Sequence, residues 1–253
     1  MKVRSKYYIA SLLSILAVSG CSSESTTSNV VKTEGIWTEI RITANGERAR
    51  VVSEFNLNSS TGANIILTTG DKVQATVGSE TKQLTMDEDF LDIDYQGYFS
   101  QTAKDTKFKL ELFRESENET LVSEVKLPTP VTIYSPVSSS FKRNSDILVE
   151  WQPASDEGTQ LVLQFTASCT TNTDGMTTFG HSAEMDDKQG QYTLLLSEIE
   201  GFDDTTFDKS KPCESRVTIS RIRTGNTDSR FKSGSSIKAI QEKESEEFEI
   251  TLN

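Results

Sequence analysis

Ile36-Trp37-Thr38-Glu39-Ile40-Arg41-Ile42-Thr43-Ala44, then Asn45-Gly46, then Ala49-Arg50-Val51-Val52-Ser53-Glu54-Phe55-Asn56-Leu57: this run decides the fold class. Ile36, Thr38, Ile40 and Ile42 alternate with Trp37, Glu39 and Arg41, and Ala49, Val51, Ser53, Phe55 and Leu57 resume the period of two. A strand turns successive side chains to opposite faces, so this pattern makes two half-buried strands. Asn-Gly between them is the strongest short hairpin signal.

Similar short runs follow outward from this hairpin. They fall at Asn64 to Leu67, Val73 to Val77, Lys82 to Thr85, Tyr95 to Ser100, Lys107 to Phe113 and Leu121 to Leu127. No window in this region keeps an apolar stripe at helical spacing. The second half shows the same alternation. Ile147, Val149 and Trp151 share one parity, as do Leu161, Leu163, Phe165, Ala167 and Cys169. Tyr192 to Leu196, Val217 with Ile219, and Phe248, Ile250 and Leu252 complete it. Short strands separated by polar turns predict an all-β chain of two tandem Ig-like β-sandwiches. Proline is excluded from central strands. Pro128, Pro130 and Pro136, three of the five prolines, therefore place the boundary between a first domain at 34–127 and a second at 128–253. Trp151 precedes both Cys169 and Cys213 instead of lying between them, so a true immunoglobulin Cys-Trp-Cys spacing is not met.

The N-terminus reads as an address. Lys2, Arg4 and Lys6 precede an apolar run from Tyr7 to Val18 that is shorter than the roughly 20 residues needed to span a bilayer. Val18-Ser19-Gly20-Cys21 resembles the lipobox of bacterial lipoproteins. That resemblance covers only the first 21 residues. It implies a signal peptide at 1–20 and cleavage before Cys21. It also implies acylation of the Cys21 thiol and new amine, palmitate among the chains, which together hold the chain to a membrane. Ser22 stands where an Asp would retain such a protein in the inner membrane, so the resemblance implies the outer membrane. The polar residues behind Cys21 extend the anchor into a flexible tether at 21–33.

With Cys21 lipidated, Cys169 and Cys213 remain, and an even pair in an exported chain predicts a disulfide. Thirty-eight acids against 26 bases give −12, which excludes the basic footprint of a nucleic-acid binder.

Candidate chemistry is sparse. Gly180-His181-Ser182-Ala183-Glu184 misses the nucleophile elbow at its fifth position, and His181 is the only histidine. Ser139/Lys142, Ser229/Lys232 and Ser235/Lys238 match Ser-x-x-Lys without the companion motifs of penicillin-binding enzymes. Asp87, Asp89, Asp92 and Asp94 offer calcium oxygens, but no glycine makes the sharp turn. Asp203, Asp204, Asp208 and Asp174 are weaker candidates. Tyr95, Tyr98 and Phe99 form an aromatic cluster able to face a sugar or a partner side chain. The expectation is a non-catalytic binding or scaffolding protein of the cell envelope, without cofactor. Its partner would be a glycan or an envelope assembly.

Overall fold

In the computed structural model, residues 25–253 apart from 69, 90, 91, 138 and 203 are described. The expected signal peptide at 1–20 and the expected lipidation site Cys21 lie outside the described residues. The first half contains β1 (Ser25–Thr27), β2 (Ile36–Ala44), β3 (Ala49–Leu57), β4 (Asn64–Ile66) and β5 (Lys72–Val77). It continues with β6 (Glu80–Gln83), β7 (Thr85–Glu88), β8 (Ile93–Phe99), β9 (Lys107–Arg114) and β10 (Glu119–Lys126). The opening run forms the expected hairpin: β2 and β3 pair antiparallel with Ala44 opposite Ala49, across a turn in which Gly46 takes a positive φ of 93°.

The order β2-β3-β8-β7 forms one sheet and β6-β5-β9-β10 the other. These are the A-B-E-D and C′-C-F-G orders of an immunoglobulin-like sandwich. Ile40, Ile42, Val51 and Phe55 from one sheet meet Val73, Ala75, Phe108 and Leu110 from the other in a buried core.

The second half contains β11 (Ile133–Ser135), β12 (Ser140–Lys142), β13 (Asp146–Trp151), β14 (Thr159–Thr170) and β15 (Met176–Met185). It ends with β16 (Gln191–Leu195), β17 (Cys213–Thr224), β18 (Ser236–Glu244) and β19 (Phe248–Thr251). Here β11-β13-β16 packs as an A-B-E sheet against β15-β14-β17-β19-β12, which is C′-C-F-G-A′. Trp151, Leu163, Phe165, Val217 and Phe248 fill a second buried core. The chain is therefore all-β, built of two Ig-like sandwiches.

The halves do not separate cleanly at residue 127. The long strand β17 pairs with β19 through Cys213–Ser215 and with β18 through Thr218–Thr224. β18 then runs parallel to β2, with Ile237 opposite Ile40 and Ala239 opposite Ile42. One sheet thus runs through both sandwiches, and Ile237, Ala239 and Phe231 belong to the first core. The loop before β18 closes the open side of the first sandwich. Asn226 and Glu124 exchange backbone hydrogen bonds of 2.8 and 2.9 Å. Lys232 N–H donates to the Ile36 carbonyl, and the Ser235 hydroxyl accepts from Thr38 N–H. Gly225 is required there, since a Cβ would meet the Glu124 carbonyl oxygen and lie 2.6 Å from Val125 Cβ.

Buried charge fixes the remaining joints. Arg221, inside the second sandwich, gives Nε and Nη2 to the two carboxylate oxygens of Asp187 at 2.6 and 2.8 Å. Its other donors reach the carbonyls of Thr129, Pro130 and Gln152, which pins the proline linker. Every donor of the fork is used, the condition under which a buried guanidinium is tolerated. At the waist, Asp156 accepts from Lys104, from Thr129 N–H and from the Thr129 hydroxyl, and Arg223 pairs with Asp156 and Asp105. Burial pushes the Asp156 pKa up, but the bonds from Lys104 and Thr129 outweigh it and hold it at about 2.

The stretch expected to be a tether is docked from Ser25 onward. β1 pairs parallel with β4, and Ser28, Val31 and Thr33 are buried. The cause is Arg114, whose Nη2 donates to the Ser28 and Val31 carbonyls while Nε pairs with Asp71 at 2.8 Å. Polar composition alone suggests a free segment; a buried guanidinium some eighty residues away captures it.

Candidate functional site

The outer face of the first sandwich's β18-β2-β3-β8-β7 sheet is solvent-facing, and register places its side chains in rows. One row is acidic: Glu39 opposite Glu54, Glu54 opposite Asp94, Asp94 opposite Asp87. The Glu54 and Asp94 carboxyls both sit above the usual range. For each, burial is the largest cause; for Glu54 the Asp92 charge follows, and for Asp94 nearby Arg50 partly offsets it. The next rows change sign. Arg41 lies opposite Val52, Thr43 opposite Arg50, and Arg50 opposite Tyr98.

These residues border an open concavity of about 490 Å³ between Arg41, Arg48, Arg50, Tyr98 and Glu242. Asn45 shapes one rim: its side-chain oxygen accepts from the Glu47 and Arg48 N–H groups and so fixes the hairpin turn that carries Arg48. The Arg48 guanidinium carbon sits 4.7 Å from the Tyr98 ring centroid, a cation–π contact. Arg50 Nε donates to Gln96 Oε1 at 2.9 Å, and Gln96 in turn donates to Asp87. Arg41 is tied to Glu39 at 3.1 Å. Among the described residues neither Arg48 nor Arg50 forms an ion pair, whereas Arg114, Arg216, Arg221, Arg223 and Arg230 all do.

The structure separates the aromatic cluster. Tyr98 is 42% exposed, but Tyr95 and Phe99 are buried. The Tyr95 hydroxyl accepts the Leu67 N–H at 2.7 Å, and burial raises its pKa. Phe99 packs edge-on against Phe108. Alternation is the reason: 95 and 99 share the inward parity of Ile93, and 98 has the other.

The aspartates do not gather. Asp87 and Asp94 are cross-strand neighbours, whereas Asp89 accepts the Asp92 N–H and Asp92 accepts the Ile93 N–H within the connecting turn. Among the described residues no three His, Cys, Asp or Glu side chains converge as metal ligands. Asp203 lies outside the described residues. Asp204 and Asp208 accept from Thr206 and Ser210, and Asp174 from Lys211.

His181 and Ser182 stand on β15 opposite Phe165 and Gln164, so they project to opposite faces. Adjacent strand positions cannot form a nucleophile–base pair. The Ser235 hydroxyl of one Ser-x-x-Lys match is spent on the Lys232 carbonyl and the Thr38 N–H. Cys169 and Cys213 are joined as expected, with Cα atoms 4.3 Å apart. The register that sets Ser168 opposite Glu214 makes them direct cross-strand partners on β14 and β17. This is a bond within one sheet, unlike the inter-sheet bond of antibody domains.

Sequence reasoning does not single out Arg41, Arg48 and Arg50. The available signal is three arginines within ten residues beside an Asn-Gly turn, in a chain with twelve excess acids.

No family model matches the chain, and no curated protein does. Among solved structures it is similar to the FN1–FN3 domains of chicken CNTN1, at 11% identity over 86% of this chain and 66% of that one, with a TM-score of 0.20. It is also similar to the titin Z1Z2 domains crystallised with telethonin, at 9% identity over 86% and 93%, with a TM-score of 0.21. At such scores the likeness carries no argument, and the Ig-like assignment rests on strand order. Among the described residues no helix is long and apolar enough to cross a membrane.

Proposed function

We propose that the chain is a lipid-anchored, outer-membrane protein of the cell envelope that works as a non-catalytic, rigid binding or scaffolding module. The observation that carries this reading is the shared sheet. β18 belongs to the ladders of both sandwiches, and the waist is closed by Asp156, Lys104, Thr129 and Arg223. Such a joint suits a spacer that presents surfaces at fixed geometry. The anchor follows from the Cys21 lipobox. Only four residue steps separate Cys21 from Ser25, where the docked segment begins, a reach of about 13 Å. The first sandwich then sits close to the bilayer and the second stands beyond it.

Membrane fractionation of cells making wild type and Cys21→Ala tests the anchor. The expected outcome is that wild type sediments with outer membrane and the variant is soluble. A variant still in the membrane fraction overturns it.

A second reading is an accessory subunit that docks a partner strand. It is favoured by β15, a ten-residue strand at the end of its sheet with neither proline nor lysine to block pairing. Photocrosslinking from Ser182 in cells, with recovery of one defined protein, is its expected result; no adduct argues against it.

A further inference from the structure

We infer that the concavity lined by Arg41, Arg48, Arg50 and Tyr98 is a binding site for an acidic polysaccharide, a chain of uronate-type or similarly anionic sugars. The inference rests on the binding-module reading and gives it a ligand class.

Charge is the first argument. In a chain of net charge −12, Arg48 and Arg50 lie two positions apart on one face and form no ion pair among the described residues, with Glu242 the one carboxylate in the lining and Asp94 near enough to feel the Arg50 charge. Arg41, paired with Glu39, adds a third guanidinium from the neighbouring strand. At physiological ionic strength charges beyond roughly 8 Å are screened, so a ligand in the concavity meets three arginines against the local carboxylates Glu242 and Glu39 rather than the acidic whole. A guanidinium matches a carboxylate or sulfate with two parallel hydrogen bonds.

The second argument is what surrounds the charges. Tyr98 is exposed beside Arg48 and supplies a flat apolar surface for a sugar ring. Thr43 supplies a hydroxyl to the same face. β2 and β3 are paired on both sides there, so their backbone groups are spent within the sheet. A peptide adding as a strand needs a free edge. This face offers only side chains, which suits a ligand rich in hydroxyls and carboxylates.

Position is the third. The segment leading to Cys21 docks near Asn56 and Asn64, and the arginines lie at the other end of β3. Six to eight strand residues place them about 20–27 Å farther from an anchored end. The site then faces extended material rather than headgroups.

The test titrates the full chain in detergent with polygalacturonate at about 150 mM salt. Neutral dextran and polyglutamate are the comparison ligands. The expected result is saturable binding of polygalacturonate, no binding of dextran and weaker binding of polyglutamate. Arg48→Ala/Arg50→Ala should weaken polygalacturonate binding about ten-fold or more. Tyr98→Ala should weaken it without changing the polyglutamate affinity. Arg216→Ala, an exposed arginine of the second sandwich, should leave binding unchanged, and all variants should melt like wild type. No binding of polygalacturonate by the folded chain overturns the inference, as does binding indifferent to the double substitution. Polyglutamate bound as tightly reassigns the face to an acidic polypeptide. A chain that ignores every ligand yet stays membrane-bound through Cys21 rejects the ligand class and leaves the anchored module standing.

Discussion

The second sandwich carries a disulfide and completes its core with its own strands. The first has no cysteine between Ile36 and Lys126 and completes its core with Phe231, Ile237 and Ala239, which the chain delivers only after the second sandwich has been laid down. Strand order is similar in the two; closure is not. The first sandwich spans 34–127 in sequence, but its β2 edge is paired by β18, and its open side is plugged by the loop at 225–235. Its integrity therefore depends on the second, and the reverse dependence is weaker.

The largest effect should come from cutting the chain. Residues 128–253 expressed alone should show a cooperative thermal transition, because their core cluster is internal to them. Residues 25–127 alone should show none, having lost β18 and Phe231. A cooperative melt from the shorter fragment would remove the asymmetry.

Next comes the disulfide. The bond between Cys169 and Cys213, 44 residues apart, closes a loop worth about 4 kcal/mol in the chain-entropy model. Cys169→Ala/Cys213→Ala should lower stability by that order. The loss should register in the fluorescence of Trp37, which lies in the other sandwich. A Trp37 signal that does not move would show the sandwiches to be uncoupled.

Phe231→Ala should cost about 3 kcal/mol, the lower end for a buried aromatic, because Phe231 lies at the margin of the first core. Urea unfolding should show the loss first in the first sandwich, although the substitution is in a loop of the second.

The smallest effect is that of pH. Asp156 and Asp228 both bind across the joint in ionised form. Hydrogen bonds from Arg230, followed by those from the Val122 and Arg230 N–H groups, overcome burial and hold Asp228 at about 2, as Lys104 and Thr129 do for Asp156. Both pKa values are depressed on folding, so the stabilisation is complete above the unfolded carboxylate pKa of about 3.9 and is lost as pH falls through about 2. Glu54 and Asp94 are raised, so acid relieves their cost in the first sandwich. Asp156→Asn with Asp228→Asn should flatten the fall in stability between about pH 4 and pH 2. An unchanged slope would show that other carboxylates carry it.

Much of the fold is legible in local pattern. The β2–β3 hairpin and the long strand from Leu161 to Cys169 follow from alternation, and the cysteine pairing from the even pair left in a chain read as exported. What stays hidden is long-range choice. The segment Ser236–Glu244 looks like any amphipathic strand, and nothing in it names a partner nearly two hundred residues earlier. The buried arginines do leave a trace in the sequence. Arg114 is in phase with Phe108, Leu110 and Leu112, and Arg221 with Val217 and Ile219. A guanidinium on the inward parity requires a buried carboxylate somewhere. Here the partners are the buried Asp71 and the partly buried Asp187, which tie down the N-terminal strap and the proline linker. At the candidate site, parity distinguishes Tyr98 from Tyr95 and Phe99, whereas the meeting of Arg41 with Arg48 and Arg50 requires the register of the hairpin.

The chain has two tryptophans, Trp37 in the first sandwich and Trp151 in the second, and they allow the dependence to be measured directly. Urea unfolding of Trp37→Phe and Trp151→Phe, each reporting through its remaining tryptophan, gives one curve per sandwich. The first sandwich should unfold at or below the urea concentration that unfolds the second, so the Trp37 signal should never outlast that of Trp151. A native Trp37 signal persisting after Trp151 has unfolded would contradict the claim that β18 makes the first sandwich depend on the second.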